Sequence, residues 1–296
     1  MQVRKNYLLE KGLRVGHGRG KSPFRRKTMT IGIAALCTRQ EGDKKYGVII
    51  GAADRLITIG QGVISYEPPQ QKIHMLTPLI VAIPAGDNDI NMEVIKNTIE
   101  AISNKKSVYD IADLYSQKYE DYIKEAIERT ILYPRGLTWD SYNNLKYDKD
   151  PSWFNNCKTN VFGYENPGSE TIIAGVDESG PQIYLVNNGW VRCQNWAGFA
   201  TVGIGGEHAR LEFIIGNHSS SNPYADTLLL TYIAKQRASI AAQVGEDTDL
   251  FSISIKDGYV DLPEELKVVK KIYADMSSKQ AKDKNIINKK VRGIIN

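Results

Sequence analysis

TMTIGIAALC (residues 28–37) and YGVIIGAAD (residues 46–54) are the two stretches that decide the fold of this chain. Both are β-branched and apolar at nearly every position, which is typical of strands that are buried on both faces. The polar stretch RQEGDKK (residues 39–45) between them predicts a turn. We therefore expect the ordered part of the chain to begin near Thr28 with a central pair of strands.

The remaining elements come in blocks rather than in strict alternation. Further strands are predicted over residues 61–67, 72–76, 79–86, 171–177, 182–188, 190–204 and, as a final pair, 250–262. Helical spacing of apolar residues predicts helices over 90–102, 108–131, 206–216 and 223–242. A doubly wound parallel sheet would need strands and helices to alternate. The order instead predicts an α+β fold, a four-layer αββα sandwich of two mainly antiparallel sheets.

Charge divides the chain into three parts. Residues 1–27 carry nine Lys/Arg and one acid, and residues 267–296 carry nine Lys/Arg and two acids. These ends have net charges of +8 and +7, so with a total of +4 the middle is −11. We predict a flexible basic leader or propeptide, one domain over 28–266 with an insertion at about 133–168, and a basic tail that is helical at first and then loose. The favoured interpretation of the ends is solvated segments, and nucleic-acid contact by them is an alternative.

Several functional classes find no support in the sequence. The three cysteines, Cys37, Cys157 and Cys193, are odd in number and far apart, which fits a reducing cytoplasm rather than a disulfide framework. There is no zinc-type ligand spacing, no P-loop and no GxSxG motif, and none of the four histidines has an obvious nucleophile beside it. No apolar run approaches the length of a membrane span. We expect no metal, no cofactor and no membrane partner.

Seven short motifs follow one another in a fixed order. They are TMTIGI (28–33), AADRLIT (52–58), QKIHML (71–76), IPAG (83–86), TVGIGGEHA (201–209), KQRAS (235–239) and KDGYVDLP (256–263). Together they resemble proteasome β-type subunits and bacterial proteasome-like N-terminal-nucleophile hydrolases, and the resemblance is weakest across the insertion. It implies the N-terminal-nucleophile hydrolase fold, threonine peptidase activity on peptides or unfolded proteins, a homo-oligomeric ring or helix, and an unfoldase ATPase as a candidate partner.

The resemblance also implies a catalytic set. Thr28 would be the nucleophile, with its own α-amino group as the base, because an α-amine has a pKa of about 7.7–8.0. Lys72 would favour ionisation of the threonine hydroxyl, Asp54 would hold Lys72 through an ion pair, and the Gly86 N–H would donate to the oxyanion. Each residue also has an ordinary structural interpretation, as a strand residue, a strand-end acid, an edge lysine and a turn glycine.

The first motif leaves the identity of the nucleophile open. Lys27 stands where active members of the family have the glycine that precedes the nucleophile. Met29 could be the true start, and its removal would expose Thr30 as the terminal residue. The two threonines face the same side of a strand about 6.6 Å apart, so only one can lie beside Lys72. The position of Gly32 in the opening strand favours Thr28.

Other positions depart from the family pattern and keep alternative functions open. Ile204 stands where the Gly-Ser-Gly turn has serine, Ala238 replaces the acid that follows arginine, and Leu56 replaces a frequent arginine. Asp247 or Asp249 could take the place of the missing acid. The alternatives are a catalytically inactive proteasome-like structural subunit and a small-molecule amidase. In the amidase, aromatic residues of the insertion, Trp139, Tyr142 and Trp153, would wall the pocket.

Overall fold

A computed structural model describes residues 30–59, 64–66, 71–103, 107–144, 151–241 and 244–295. The predicted basic leader and Thr28 therefore lie outside the described residues. So do the ends of the predicted strand over 61–67, of which residues 64–66 are described and are extended.

Twelve strands and seven α-helices make up the described part of the chain. The strands are β1 Gly32–Glu41, β2 Lys44–Asp54, β3 Ile57–Ile59, β4 Ile64–Tyr66, β5 His74–Thr77, β6 Ile80–Gly86, β7 Ser169–Asp177, β8 Gly180–Asn187, β9 Trp190–Cys193, β10 Phe199–Val202, β11 Thr248–Ser254 and β12 Gly258–Asp261. The helices are α1 Asn88–Ala101, α2 Val108–Ile127, α3 Trp139–Asn143, α4 Pro151–Phe162, α5 Gly206–Ile215, α6 Tyr224–Ala238 and α7 Pro263–Ile295.

Two five-stranded antiparallel sheets form the centre of the molecule. The first has the strand order β10-β1-β2-β11-β12, and the second has the order β5-β6-β7-β8-β9. Strands β3 and β4 form a separate two-stranded ribbon. The predicted mixed α+β class with antiparallel sheets is confirmed.

Three buried layers hold these elements together. Between the two sheets, Ala34 and Ile49 of the first sheet pack in one cluster with Val81 and Ile172 of the second. Burying such side chains stabilises the fold by about 25 cal/mol for each Å² of apolar surface removed from water. The sheets therefore meet face to face, with helices left to cover their outer faces.

Helices α1 and α2 cover the outer face of the second sheet, where Val94 and Ile111 pack in one cluster with Ile173. Helices α5, α6 and α7 cover the outer face of the first sheet through two further clusters. The order of layers is helix, sheet, sheet, helix, as the blocks in the sequence predict.

Both helices of the α1–α2 pair begin at side-chain caps. The Asp87 carboxylate accepts from the backbone N–H groups of Asp89 and Ile90, and the Ser107 hydroxyl accepts from that of Asp110. Each such cap stabilises a helix by about 1 kcal/mol.

Four boundaries differ from the sequence-based expectations. The turn predicted over 39–45 is only two residues long, because the hydrogen-bonded ladder of β1 and β2 extends to the pair Glu41 and Lys44. The single strand predicted over 190–204 is two strands, β9 and β10, that lie in different sheets, and a turn over 194–198 carries the chain from one to the other. Helix α6 ends at Ala238, before the predicted end at 242.

The tail is the fourth difference, since α7 continues over 33 residues where a loose end was expected. In the insertion, the chain after α2 passes through a π-helical turn and a 3-10 turn into α3 and α4. None of the helices in the described ranges is both long enough and apolar enough to cross a lipid bilayer.

Candidate active site

Asp54 is the centre of a buried polar cluster at the end of β2. It is 0 % exposed, and its backbone N–H donates to the Ile31 carbonyl at 3.3 Å, which places it beside the start of β1. Its Oδ1 accepts from the Thr30 hydroxyl at 2.5 Å, the Ile31 N–H at 3.1 Å and the Lys72 ammonium at 2.9 Å. Its Oδ2 accepts from the Gly245 N–H at 3.0 Å. Four donors match the acceptor capacity of a carboxylate, so this buried acid is well satisfied.

Lys72 lies just before β5 and reaches the same cluster. Its Nζ donates to the Thr30 Oγ1 at 2.7 Å, to the Asp54 Oδ1 at 2.9 Å and to the Leu56 carbonyl. These three acceptors match the three N–H groups of an ammonium. The side chain is only 15 % exposed. The ion pair expected between Asp54 and Lys72 is therefore present.

The threonine beside this ion pair is Thr30. Its hydroxyl donates to Asp54 and accepts from Lys72, and the residue is 5 % exposed. Thr28, the residue expected to occupy this place, lies outside the described residues. Only one of the two threonines can lie beside Lys72. The contact between a threonine hydroxyl and the Lys72 ammonium, which was expected of Thr28, is made here by Thr30.

Two glycines show why the chain is so tightly constrained around Thr30. A Cβ on Gly203, whose φ is +88°, would stand 2.1 Å from the Thr30 carbonyl oxygen, so the turn after β10 presses directly on Thr30. A Cβ on Gly32 would stand 2.7 Å from Ile83 and 2.8 Å from Val202. Gly32 is therefore explained by close approach of the two sheets. This packing role does not distinguish Thr28 from Thr30 as the nucleophile.

Gly86 ends β6, the strand that contacts Gly32 through Ile83. Its φ is +147°, and a Cβ added to it would stand 3.1 Å from the Gly168 carbonyl oxygen, so both the backbone and the space require glycine. The residue before it, Ala85, belongs to the same core cluster as Ala53 and Ile73, the neighbours of Asp54 and Lys72. Gly86 thus lies at the edge of the apolar layer between the two sheets. The polar cluster of Asp54 and Lys72 adjoins the same layer.

The two positions that depart most from the family pattern contact the same small apolar cluster. A Cβ on Gly205 would stand 2.8 Å from the Ala238 Cβ and 3.2 Å from Val244. Ala238 and Val244 are buried, and Ile204 packs against the cluster that contains them. The serine and the acid of the family pattern are therefore replaced by Ile204 and Ala238. Both pack in one apolar cluster on the side of Thr30 that faces the 203–206 turn.

Asp249 does not take the place of the missing acid. Its carboxylate, 4 % exposed, binds the Arg55 guanidinium, with Nη2 at 2.5 Å and Nε at 2.9 Å from Oδ1. The hydrogen bond to Asp249 is the main cause that raises the pKa of Arg55, and the negative charge of Asp247 also contributes. Asp249 therefore forms an ion pair with Arg55, the residue next to Asp54.

Lys235 is a buried cation that sequence reasoning missed. It is 0 % exposed and donates to the carbonyls of Gly245 at 2.8 Å and Glu246 at 2.5 Å. The Gly245 N–H in turn binds Asp54. Lys235 thus fixes the loop that completes the hydrogen bonding of Asp54. Its only signal in the sequence was its place in the KQRAS motif, where a helix lysine usually points to solvent.

Two aromatic residues of the insertion, Trp139 and Tyr142, pack away from this cluster. Trp139 and Tyr142 meet edge to face at 5.8 Å and pack on Leu132, Leu137 and Cys157 in a satellite core. A cavity of about 420 Å³ also lies elsewhere, between β8, β10 and α5. Neither observation places a small-molecule pocket at Thr30.

In the described part of the chain, no group of three or more His, Cys, Asp or Glu side chains is arranged as metal ligands would be. In comparisons with known proteins, no family model matches this chain and no curated protein matches it. The chemistry of the site therefore has to be argued from the cluster of Thr30, Asp54 and Lys72 itself.

Proposed function

We propose that this chain is an N-terminal-nucleophile hydrolase that cleaves peptide bonds, with Thr30 as the nucleophile. The observation that supports it is the buried contact of one ammonium group, Lys72 Nζ, with both the Thr30 hydroxyl at 2.7 Å and the Asp54 carboxylate at 2.9 Å. A lysine held in this way, next to a hydroxyl, is an arrangement that activates a nucleophile.

The proposed reaction uses the chain terminus as its base. The Thr30 oxygen attacks the substrate carbonyl carbon, and its proton passes to the free α-amine of Thr30. The positive charge of Lys72 stabilises negative charge on the oxygen, and Asp54 keeps the ammonium in place. The amine then returns the proton to the leaving group, and water hydrolyses the acyl-enzyme. In this scheme the Gly86 N–H donates to the oxyanion.

Thr30 is preferred to Thr28 for a geometric reason. The Thr30 hydroxyl already occupies the position beside Lys72, and a residue two places earlier in an extended chain lies about 6.6 Å away. A free amine at Thr30 requires cleavage after Met29, which removal of an initiating methionine at that position would achieve. Lys27, which stands where active members of the family have glycine, then takes no part in forming the mature terminus.

The remaining expectations stay proposals of the same kind. We expect peptides or unfolded proteins as substrate, a homo-oligomeric assembly and a cytoplasmic location, with an unfoldase ATPase as a candidate partner. The helix–sheet–sheet–helix order is compatible with the N-terminal-nucleophile fold that this activity needs.

Intact mass and peptide hydrolysis test the proposal. The full chain and a version that begins at Met29 are purified, weighed and assayed with small fluorogenic peptides. We expect an active species that begins at Thr30, loss of more than about a thousandfold in kcat for Thr30→Ala, and partial retention for Thr30→Ser, which keeps the hydroxyl. A threonine-directed electrophile should add to Thr30.

Thr28→Ala in the full chain is the matched control and should leave activity unchanged. An active chain that begins at Thr28 and loses activity in Thr28→Ala would return the nucleophile to Thr28. An active Thr30→Ala protein would refute the role of Thr30.

A second candidate, a catalytically inactive structural subunit, is favoured by one observation. The positions of the expected serine and acid are filled by Ile204 and the buried Ala238, and neither side chain can form a hydrogen bond. This alternative predicts that a homogeneous protein with Thr30 at its terminus neither hydrolyses peptides nor reacts with the electrophile.

A further inference from the structure

The distal part of α7, residues 274–292, is a helical segment that no other described residue covers. Helix α7 begins on the body, where Val269 is buried and Tyr273 packs against the α6 cluster. From residue 274 to residue 292 every position is exposed. At 1.5 Å per residue this segment is about 28 Å long. Most helical stability in proteins comes from packing of an amphipathic face, so a partner is expected to cover this segment.

The docked and the undocked parts of α7 share one face. Val269 and Tyr273 lie on the side of the helix that continues as Met276, Ile287 and Val291, because these positions are separated by three, four, seven or eleven residues. Met276, Ile287 and Val291 are 36 %, 59 % and 46 % exposed. The face that anchors α7 to its own body therefore continues beyond it, and the polar residues Gln280 and Asp283 interrupt its apolar side chains. Nothing in the described residues covers this face.

Charge restricts what can cover this face. Residues 274–292 contain six Lys/Arg and two Asp, a net charge of +4. Two such helices would repel one another if they paired side by side. The partner surface must therefore be acidic and must also offer apolar contacts, which a nucleic acid backbone does not.

The chain itself carries a surface with these properties on helices α1 and α2. These helices contain eight acids and three lysines, a net charge of −5. Met92 and Ile99, seven residues apart on one face of α1, are 42 % and 44 % exposed. Helix α2 has 20 residues, or about 30 Å, which matches the length of the uncovered segment.

Helix α7 cannot reach the α1–α2 face of its own molecule. Helix α7 packs with α6 and β11 on the outer face of the first sheet, whereas α1 and α2 cover the outer face of the second. Both sheets lie between them, and stacked layers are about 10 Å apart.

We propose that residues 274–292 of one chain dock on the α1–α2 face of a second copy of this chain. Because the two surfaces differ, the contact is head-to-tail and propagates into a closed ring or an open filament. The proposal does not depend on catalysis at Thr30.

Charge reversal at both surfaces tests this contact, with molar mass measured by light scattering and sedimentation. Lys279→Glu with Lys284→Glu reverses two exposed charges beside this face of α7, and Glu93→Lys with Glu100→Lys reverses two on α1. We expect each double variant to weaken self-association by about tenfold or more. The protein that combines both pairs should associate again, because each new charge meets its opposite.

Lys44→Glu with Lys45→Glu is the matched control, since it reverses two exposed lysines at the β1–β2 turn. It should associate like the wild type, and a chain that ends after Tyr273 should not associate through this contact. A wild-type chain that stays monomeric at high concentration would overturn the proposal. So would association that the α1 reversals leave unchanged, or binding of the helix to anionic vesicles or nucleic acid in its place. Thr30→Ala should associate normally, so failure of this contact is distinguishable from failure of the proposed chemistry.

Discussion

Replacing Asp54 by asparagine is the sharpest perturbation of the buried cluster. The amide keeps nearly the same shape, and its oxygen can stay with Thr30, Ile31 and Lys72. Its NH₂ group then faces the Gly245 N–H, which loses its acceptor, and the Lys72 ammonium loses its counter-charge. Breaking a buried ion pair in this way costs about 3–5 kcal/mol.

The lower end of that range is expected here, because Lys72 is 15 % exposed and water can relieve part of the lost pairing. A loss of about 3 kcal/mol reduces the folding equilibrium constant roughly 150-fold. It should also lower the melting temperature by about 6 °C or more. Urea unfolding followed by circular dichroism at neutral pH measures the free energy directly.

The matched control is Glu264→Gln, the same chemical change in an exposed pair. Glu264 lies 2.6 Å from Lys267, and both side chains are mostly in water. We expect a change of less than about 0.5 kcal/mol there. If Asp54→Asn also unfolds within about 1 kcal/mol of the wild type, then the cluster is not the tightly coupled site inferred from its burial, and the reasoning fails.

The remaining predictions use the same structure at other places. Gly203→Ala should destabilise the protein by at least about 2 kcal/mol in urea, since its φ is +88° and the new Cβ would meet the Thr30 carbonyl at 2.1 Å. Alkylation of the native protein followed by peptide mass spectrometry should label the exposed Cys193 and spare Cys37, because burial raises the pKa of the Cys37 thiol to about 12. Burial lowers the pKa of His218, so the unfolded chain binds the proton more readily. Stability should therefore be complete above about pH 6.5 and fall as the pH drops toward the folded pKa, and His218→Gln should flatten this dependence.

The ion pair was expected from the family resemblance and not from the strand pattern alone. Asp54 closes an apolar run that indicates a buried strand, and Lys72 leads into the next strand pair. The local pattern shows only that each charge lies at a strand end. The packing of the two sheets is what brings the side chains to 2.9 Å.

The choice between the two threonines could not be made in the same way. Residues two apart on a strand share a face, so the pattern alone treats Thr28 and Thr30 alike. What distinguishes them is the end of the ladder, where Ile31 binds the backbone of Asp54 and so brings Thr30 within reach of Lys72. Gly32 does not distinguish them either, because its packing role against Ile83 depends on the other sheet.

Lys235 and α7 were misjudged for opposite reasons. A lysine in an amphipathic helix is usually solvated, yet Lys235 is fully buried because two loop carbonyls satisfy its ammonium. The tail has the composition of a solvated end, yet it continues as a helix to Ile295. In both cases the deciding interactions are tertiary and are absent from any local pattern.

Among the described residues, the Thr30 hydroxyl is hydrogen-bonded to Asp54 and Lys72, and this affects how the proposed chemistry would work. Apolar packing of Gly205 against Ala238 occupies the side of the 203–206 turn. On the other side, Asp54 Oδ1 approaches the Thr30 hydroxyl at 2.5 Å and is itself fixed by Gly245, whose loop Lys235 holds. A free amine at Thr30 would therefore have to act without a neighbouring serine, while the hydroxyl proton already points at a carboxylate. Under the proposal, Asp54 would orient the hydroxyl as well as hold Lys72, so the loss of the usual serine and acid need not abolish hydrolysis.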